Sequence, residues 1–295
     1  MIYLDSAATS LQKPPEVARA VVRAMQSCAS PGRGDHAAAM RAAETVFACR
    51  EEAAALFHMT QPENVVFTIN ATHALNIAVH SLVREGMRVA VSGFEHNAVM
   101  RPLYASGASI LASDTPLFDS AALIDWFERH LPECDAAVCT CVSNVFGFIL
   151  PVREIAALCR AHGIPIIVDA AAELPPKANI RKYLDDGASL VVFSGGKEIR
   201  GPQASGMILG SRELIAACEL NCCPNYGIGR PMKVDKENIC GLVKAVELFV
   251  QRDYDQIMAQ WDSYVDTIRA GLSDCPGLEM TIGIPSEPGV QPACI

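Results

Sequence analysis

Lys197 stands on a glycine turn, Phe193-Ser194-Gly195-Gly196-Lys197, directly after the apolar, β-branched run from Ala188 to Phe193. A run of that length and type is buried in a parallel sheet, so the turn opens at the carboxyl end of a strand, where α/β folds place ligands. An amine there can be desolvated and made nucleophilic, and its chemistry would then be Schiff-base formation with a carbonyl. A lysine behind two glycines is as readily a solvated turn residue. Its companions decide between the two.

Four further segments fall at strand-to-loop transitions. In Thr68-Ile69-Asn70-Ala71-Thr72 a strand runs into a helix start, whose free N–H groups, dipole and hydroxyl can hold a phosphate. Asn70 or Thr72 could equally be an ordinary helix cap there. Glu95-His96-Asn97 places an imidazole where it could stack on an aromatic ring, or be merely structural. Ser143-Asn144 offers a side-chain amide to a phenolic oxygen or a substrate, or forms a turn before Gly147. Asp169 closes the apolar run Ile-Pro-Ile-Ile-Val-Asp. Its carboxylate could keep a pyridine nitrogen protonated, or cap a following helix. These are the residue types that a pyridoxal 5'-phosphate site needs. The nucleotide alternatives lack their motifs: Lys197 is followed by Glu198 rather than Ser or Thr, and no G-x-G-x-x-G follows a strand.

Positioning these residues takes a large fold. The chain has 295 residues, 51% of them apolar, enough for a sizeable core. Helical spacing marks 14–28 and 37–57. Strand-like and helical runs then alternate: strands at 64–68, 87–92, 109–112, 136–142, 164–169 and 188–193, with helices at 72–84, 97–104, 120–130 and 152–162. That rhythm predicts an α/β fold with a mostly parallel sheet covered by helices. A strand at 206–210, a helix at 211–220, an irregular stretch at 221–230, a long helix at 236–273 and a strand at 278–284 complete the expectation. Residues 1–235 are expected to form a large domain, and 236–295 a bridging helix and part of a small one. The net charge of −9 comes without a basic stripe, which argues against a nucleic-acid surface. No apolar run reaches membrane-spanning length and the start does not read as a signal peptide, so the cytoplasm is the expected compartment. The twelve cysteines lack paired C-x-x-C spacing, so no metal site is expected and most should be reduced core thiols.

The chain resembles fold-type I pyridoxal phosphate enzymes of the class V aminotransferase group over nearly its whole length. Up to about Gly163 it is similar to the cysteine desulfurases, in IYLDSAATS, KPPEV, ASPGRGDH, VVFTINATHALNIAV, FEHNAV and the SNVFG-ILPV-EI run. From about Ile164, VDAAAELPP, FSGGKEIRGPQASG and PNYGIGRPMKVDKE look more like the selenocysteine-synthase-like enzymes, a group that includes D-glucosaminate-6-phosphate ammonia-lyase. Some positions depart from the desulfurase pattern: His73 replaces a usual Glu, Phe146 a frequent Thr, Ala172 a usual Gln and Gly196 a usual His.

The resemblance implies that Lys197 carries the cofactor and serves catalysis with His96, which stacks on the ring. It implies that Asp169 meets the pyridine nitrogen, that Ala71, Thr72 and Ser194 bind phosphate, and that Asn144 lies near the phenolic oxygen. The Gly201–Gly206 loop, with Ser205, would reach a partner subunit's phosphate, so a homodimer is implied. By the same resemblance the desulfurase nucleophilic cysteine and the substrate-carboxylate arginine belong to a small domain that this chain only begins. The expected substrate is a small amino acid. Desulfuration of L-cysteine to alanine, with a sulfur-acceptor protein as a further partner, is the first expectation. A lyase, transferase or class V aminotransferase reaction is the second. A truncated or mosaic chain that binds cofactor with little turnover is the third.

Overall fold

The computed structural model describes residues 3, 5, 8–32 and 34–280. Among them seven strands form one sheet: β1 (Val65–Thr68), β2 (Arg88–Val91), β3 (Ser109–Ala112), β4 (Ala136–Thr140), β5 (Ile166–Asp169), β6 (Leu190–Ser194) and β7 (Gly206–Gly210), in the order β1-β7-β6-β5-β4-β2-β3. Every pairing is parallel except those of β7, which runs antiparallel to both β1 and β6. The strands are four or five residues long and rich in Val and Ile. Buried on both faces, they read as continuous apolar runs rather than as alternation.

Among the described residues there are ten α-helices, most of them packed on the sheet: α1 (Pro15–Ser27), α2 (Ala37–Leu56), α3 (Ala71–Leu82), α4 (Asn97–Ala105), α5 (Ser120–His130), α6 (Val152–Ala161), α7 (Asn179–Asp186), α8 (Arg212–Asn221), α9 (Lys236–Gln251) and α10 (Tyr254–Leu272). Ala74, Ile77 and Val79 of α3, Val99 and Leu103 of α4 and Ile215 of α8 pack against Val66, Val89, Val138, Ile167 and Val192 on one face. Phe57, Phe127, Ile155, Tyr183 and Leu242 pack against Phe67, Ala90, Val168, Phe193 and Leu209 on the other. The core is thus two apolar layers either side of one sheet. Helix α9 lies on α1 and α2 and feeds Ile239, Leu242, Val243, Val246 and Phe249 into the second layer. Among the described residues no helix is long and apolar enough to cross a membrane.

The α/β sheet covered by helices is present as expected, with three local differences. The expected helix over 236–273 is two helices. Arg252 is extended, and the Asp253 carboxylate caps α10 by accepting from the Gln256 N–H at 3.1 Å. Apolar spacing continues across the break, so periodicity alone runs the two together. Helix α7 was not expected, because its eight residues are mostly charged or polar. Ile180, Tyr183 and Leu184 make its apolar stripe, and Gly187 closes it at φ +114°. Residues 278–280 are not a strand, and 281–284 of that expected element lie outside the described residues.

The layer beneath the Lys197 turn has an anchor. Phe57 is fully buried at the end of α2, with its ring centroid 5.5 Å from that of Phe193, four residues before the lysine. Replacing Phe57 with Ala should cost about 3–5 kcal/mol, read as a lower urea midpoint with an unchanged transition slope.

Candidate active site

The carboxyl ends of β1, β2, β4, β5 and β6 open on one edge of the sheet, and the start of β7 joins them. Strand order reverses between β2 and β4, which makes the crevice a ligand position by topology alone. Each predicted site residue falls on this edge or on the loop just beyond it.

The lysine turn is held on three sides. The Gly195 N–H donates to the Ser205 carbonyl at 2.9 Å, Gly201 N–H to the Gly195 carbonyl at 2.8 Å, and Arg200 N–H to the Lys197 carbonyl at 2.8 Å. The N-terminal segment closes over it. Thr9 Oγ1 and the Ser10 N–H donate to the Gly196 carbonyl at 2.8 and 3.1 Å, and Arg200 Nε donates to the Gln12 carbonyl at 2.8 Å. Both glycines are required by space. A Cβ on Gly195 would lie 2.2 Å from Ser205 Oγ and 2.5 Å from Leu242 Cδ1, and one on Gly196 would lie 2.8 Å from the Gln203 Cα. A histidine at 196 would require the Gln203 backbone to move. Ser205 is only 2% exposed and its hydroxyl donates to the Pro202 carbonyl, so in this chain it braces the turn.

Asp169 ends β5 at 6% exposure. Burial pushes its carboxyl above the ordinary range, offset by the Ala171 N–H, which donates to Oδ1 at 3.1 Å, and by the nearby Lys197 and His96. No helix follows it directly, so helix capping is not its role. His96 is exposed at the start of α4. Its Nδ1 accepts from the Ala98 N–H at 3.0 Å, so Nε2 is not the atom that caps the helix. Asn70 supplies the cap of α3, its Oδ1 accepting from the His73 N–H at 2.8 Å. The Ala71 and Thr72 N–H groups, at the first two helical positions, have no acceptor inside the helix. This helix start touches the lysine corner, since a Cβ on Gly206 would lie 2.9 Å from the Asn70 carbonyl carbon and Gly206 is paired with Ser194. Asn144 is exposed on the turn after β4, whose Gly147 N–H donates to the Ser143 carbonyl at 2.8 Å.

Two acids that sequence reasoning left without a role belong to the same crevice. Glu95 Oε1 accepts from Ser92 Oγ at 2.5 Å and from the Thr140 N–H at 3.0 Å, while Oε2 is buried with no hydrogen-bond partner. Burial pushes its carboxyl up to about 7, opposed by those donors, with the Asp169 charge adding to the rise. Glu173 is also pushed up to about 7, by burial first and then by Asp169, with Lys197 opposing. The Asn179 amide of α7 donates to its carbonyl at 2.8 Å and fixes the loop. Position is the only signal sequence held for either acid, because the shift arises from burial. His73, in place of a family Glu, is buried. Its Nδ1 accepts from the Ile69 N–H at 3.2 Å, and burial keeps the ring below its ordinary pKa. The donor set fits pyridoxal phosphate: a buried carboxylate within electrostatic reach of both an amine and an imidazole, beside N–H groups without an acceptor in the helix at a helix start.

The sequence profile of the aminotransferase class-V family matches residues 2–288. The chain is 40% identical over 129 residues to a 5'-C-glycyluridine monooxygenase-decarboxylase of a Streptomyces species, covering 44% of this chain and 30% of that protein. It is 32% identical over 233 residues to a probable cysteine desulfurase of Halalkalibacterium halodurans, covering 74% and 55%. To D-glucosaminate-6-phosphate ammonia lyase of Salmonella typhimurium it is 36% identical over 122 residues, covering 41% and 31%. The chain thus spans about half the length of the cysteine desulfurase that it matches, and less of the other two. Its fold is similar to that of the apo cysteine desulfurase from Thermococcus onnurineus NA1, with a TM-score of 0.72, 21% identity, and coverage of 92% of this chain and 73% of the other.

The Glu95 environment sets a pH dependence. Its folded carboxyl lies near 7 against an ordinary 4.5, so its contribution to stability is full below 4.5 and is lost as pH rises through 7. Glu95→Gln keeps an acceptor for Ser92 and Thr140 and removes the buried charge. In the cofactor-free protein the variant should gain on the order of 1–3 kcal/mol over wild type at pH 8 relative to pH 5, measured by urea unfolding at both values. Equal differences at the two pH values would overturn the assignment.

Proposed function

The chain belongs to the aminotransferase class-V family, and on that premise we propose that it is a pyridoxal phosphate enzyme acting at Cα of a small amino acid. The first reading is removal of sulfur from L-cysteine to leave alanine. One observation carries the cofactor assignment: the buried Asp169 carboxyl at the end of β5 feels both Lys197 and His96, next to the open start of α3. When bound, pyridoxal phosphate supplies an electron sink for the pair left on the substrate's Cα.

The chain's own residues have distinct tasks in this proposal. Lys197 Nζ holds the cofactor and, once displaced by substrate, takes the proton from Cα. Asp169, in its low-dielectric seat, keeps a proton on the pyridine nitrogen. His96 would stack on the cofactor's ring, and Asn144 would offer its amide to the phenolic oxygen. The Ala71 and Thr72 N–H groups, the Thr72 hydroxyl and Ser194 hold the phosphate. Ser205 acts through Gly195, by keeping the turn closed. A homodimer is proposed from the family resemblance of the Gly201–Gly206 loop.

A lyase or transferase reaction is the second reading, and the lysine turn itself favours it. The Gln203 backbone leaves no room at Gly196 for the histidine usual in desulfurases, and the flanking segment resembles the selenocysteine-synthase-like group.

Purification with pyridoxal phosphate should give a visible absorption band that Lys197→Ala abolishes, with turnover down on the order of 10²–10⁴-fold. A band that survives this substitution sinks the cofactor assignment. Sulfide or persulfide from L-cysteine supports the first reading. Ammonia released from other amino acids without sulfur chemistry supports the second, and a band with no turnover on any amino acid would leave cofactor binding alone.

A further inference from the structure

Away from the crevice, two thiols face each other across a helix pair. Cys49 of α2 and Cys240 of α9 are 191 positions apart in sequence, and their sulfurs are 3.9 Å apart, with the Cys49 S–H donating to Cys240. Both line a cavity of about 230 Å³ between α1, α2 and α9, which Cys28, Arg23, Glu52 and Lys244 also line. Cys240 is partly exposed there, whereas Cys49 is 8% exposed. The thiols of the main core differ: Cys139, Cys141, Cys159 and Cys218 are buried among apolar side chains, and burial pushes each of them up.

We propose that Cys49 and Cys240 form an oxidation site, in which a hydroperoxide entering the cavity converts the pair to a disulfide that joins α2 to α9. The Cys240 sulfur attacks the peroxide oxygen. The O–O bond breaks, Cys240 becomes a sulfenic acid and water leaves. The Cys49 sulfur then attacks the Cys240 sulfur, its proton goes to the departing hydroxyl, and a second water leaves. Two thiols lose two electrons and one hydrogen peroxide becomes two waters. The order of attack follows from the pair itself: the hydrogen bond from Cys49 holds the Cys240 thiol below its ordinary pKa, while the same bond and burial push Cys49 up. The sulfurs must approach by roughly 2 Å to bond, on two helices that already pack against each other.

The pair bears on the lysine turn through α9. The next residue, Gly241, sits so close to Pro202 that a Cβ there would lie 2.7 Å from its Cγ, and Leu242 Cδ1 rests 2.5 Å from where a Gly195 Cβ would be. A disulfide would pin the helix surface that the Lys197 turn packs on. Any effect on turnover rests on the reading of Lys197 given above; the oxidation does not.

The test treats the purified full chain with one to five equivalents of hydrogen peroxide, alkylates the remaining thiols and maps peptides by mass. The expected product is a dithiothreitol-reversible cross-link between the peptides carrying Cys49 and Cys240, with a Tm above that of the reduced chain. In Cys49→Ser, Cys240 should react with dimedone as a sulfenic acid, and at least tenfold more than any core cysteine does. A cross-link confined to other cysteines, or both thiols still fully alkylated after peroxide, overturns the proposal in the wild type without reliance on any variant. Cross-linking in a chain that shows no cofactor band would uphold the oxidation site while the cofactor reading fails.

Discussion

The close seat of Gly195-Gly196 against the Gln203–Ser205 backbone is the constraint on which the site depends. Lys197 has no strand of its own to fix it. Its direction is set by a turn whose carbonyls and N–H groups are tied to Ser205, Gly201, Thr9 and Ser10. Those bonds need backbones at a separation that excludes any Cβ. Three distant pieces of chain therefore converge on one amine: the N-terminal segment, the strand β7 that enters antiparallel, and α9 pressing Leu242 from below. The antiparallel sense of β7 follows from the same demand, since a parallel strand would need a crossover connection in place of the short 195–205 loop.

The sheet also ties together the two stretches whose family resemblance differs. Strands β1 to β4 come from the part similar to desulfurases and β5 to β7 from the part similar to the selenocysteine-synthase-like group, yet β1 pairs with β7 and β4 with β5. Neither stretch can bury its strands alone. The start of α3 and the lysine turn meet only because β1 and β6 flank the same strand. The two halves differ in family likeness, while the core requires both.

Much of this was legible beforehand. Strand ends are marked by short Val/Ile runs broken by Gly, Asp or Asn, so the edge carrying Asp169, Asn144, His96 and Lys197 could be read from the chain. Helix α7 could not, because its stripe is three residues in a charged segment. The break at Arg252 lies in an unbroken apolar period, and Asp253 was its one local mark. The hydrogen bond of Ser205 to the Pro202 carbonyl was not legible, because it is a matter of loop closure. Glu95 and Glu173 stayed without a role for a different reason. A glutamate acquires a raised pKa from what buries it, and a sequence does not state burial at a loop.

Those two acids decide what the crevice can hold. Ionised together, Glu95, Asp169 and Glu173 would set three negative charges in one crevice, with Asp169 repelling each of the other two. Burial opposes that state. With Glu95 and Glu173 pushed to about 7, each holds a proton for a large fraction of the time near neutrality. Asp169, although itself raised by burial, has the Ala171 N–H, Lys197 and His96 to favour its charge. The low dielectric that makes these carboxyls reluctant to ionise also strengthens attraction between whichever one ionises and a neighbouring cation. Of the three, the carboxyl at the end of β5 is the one with both an amine and an imidazole favouring its charge, while its own charge raises the other two.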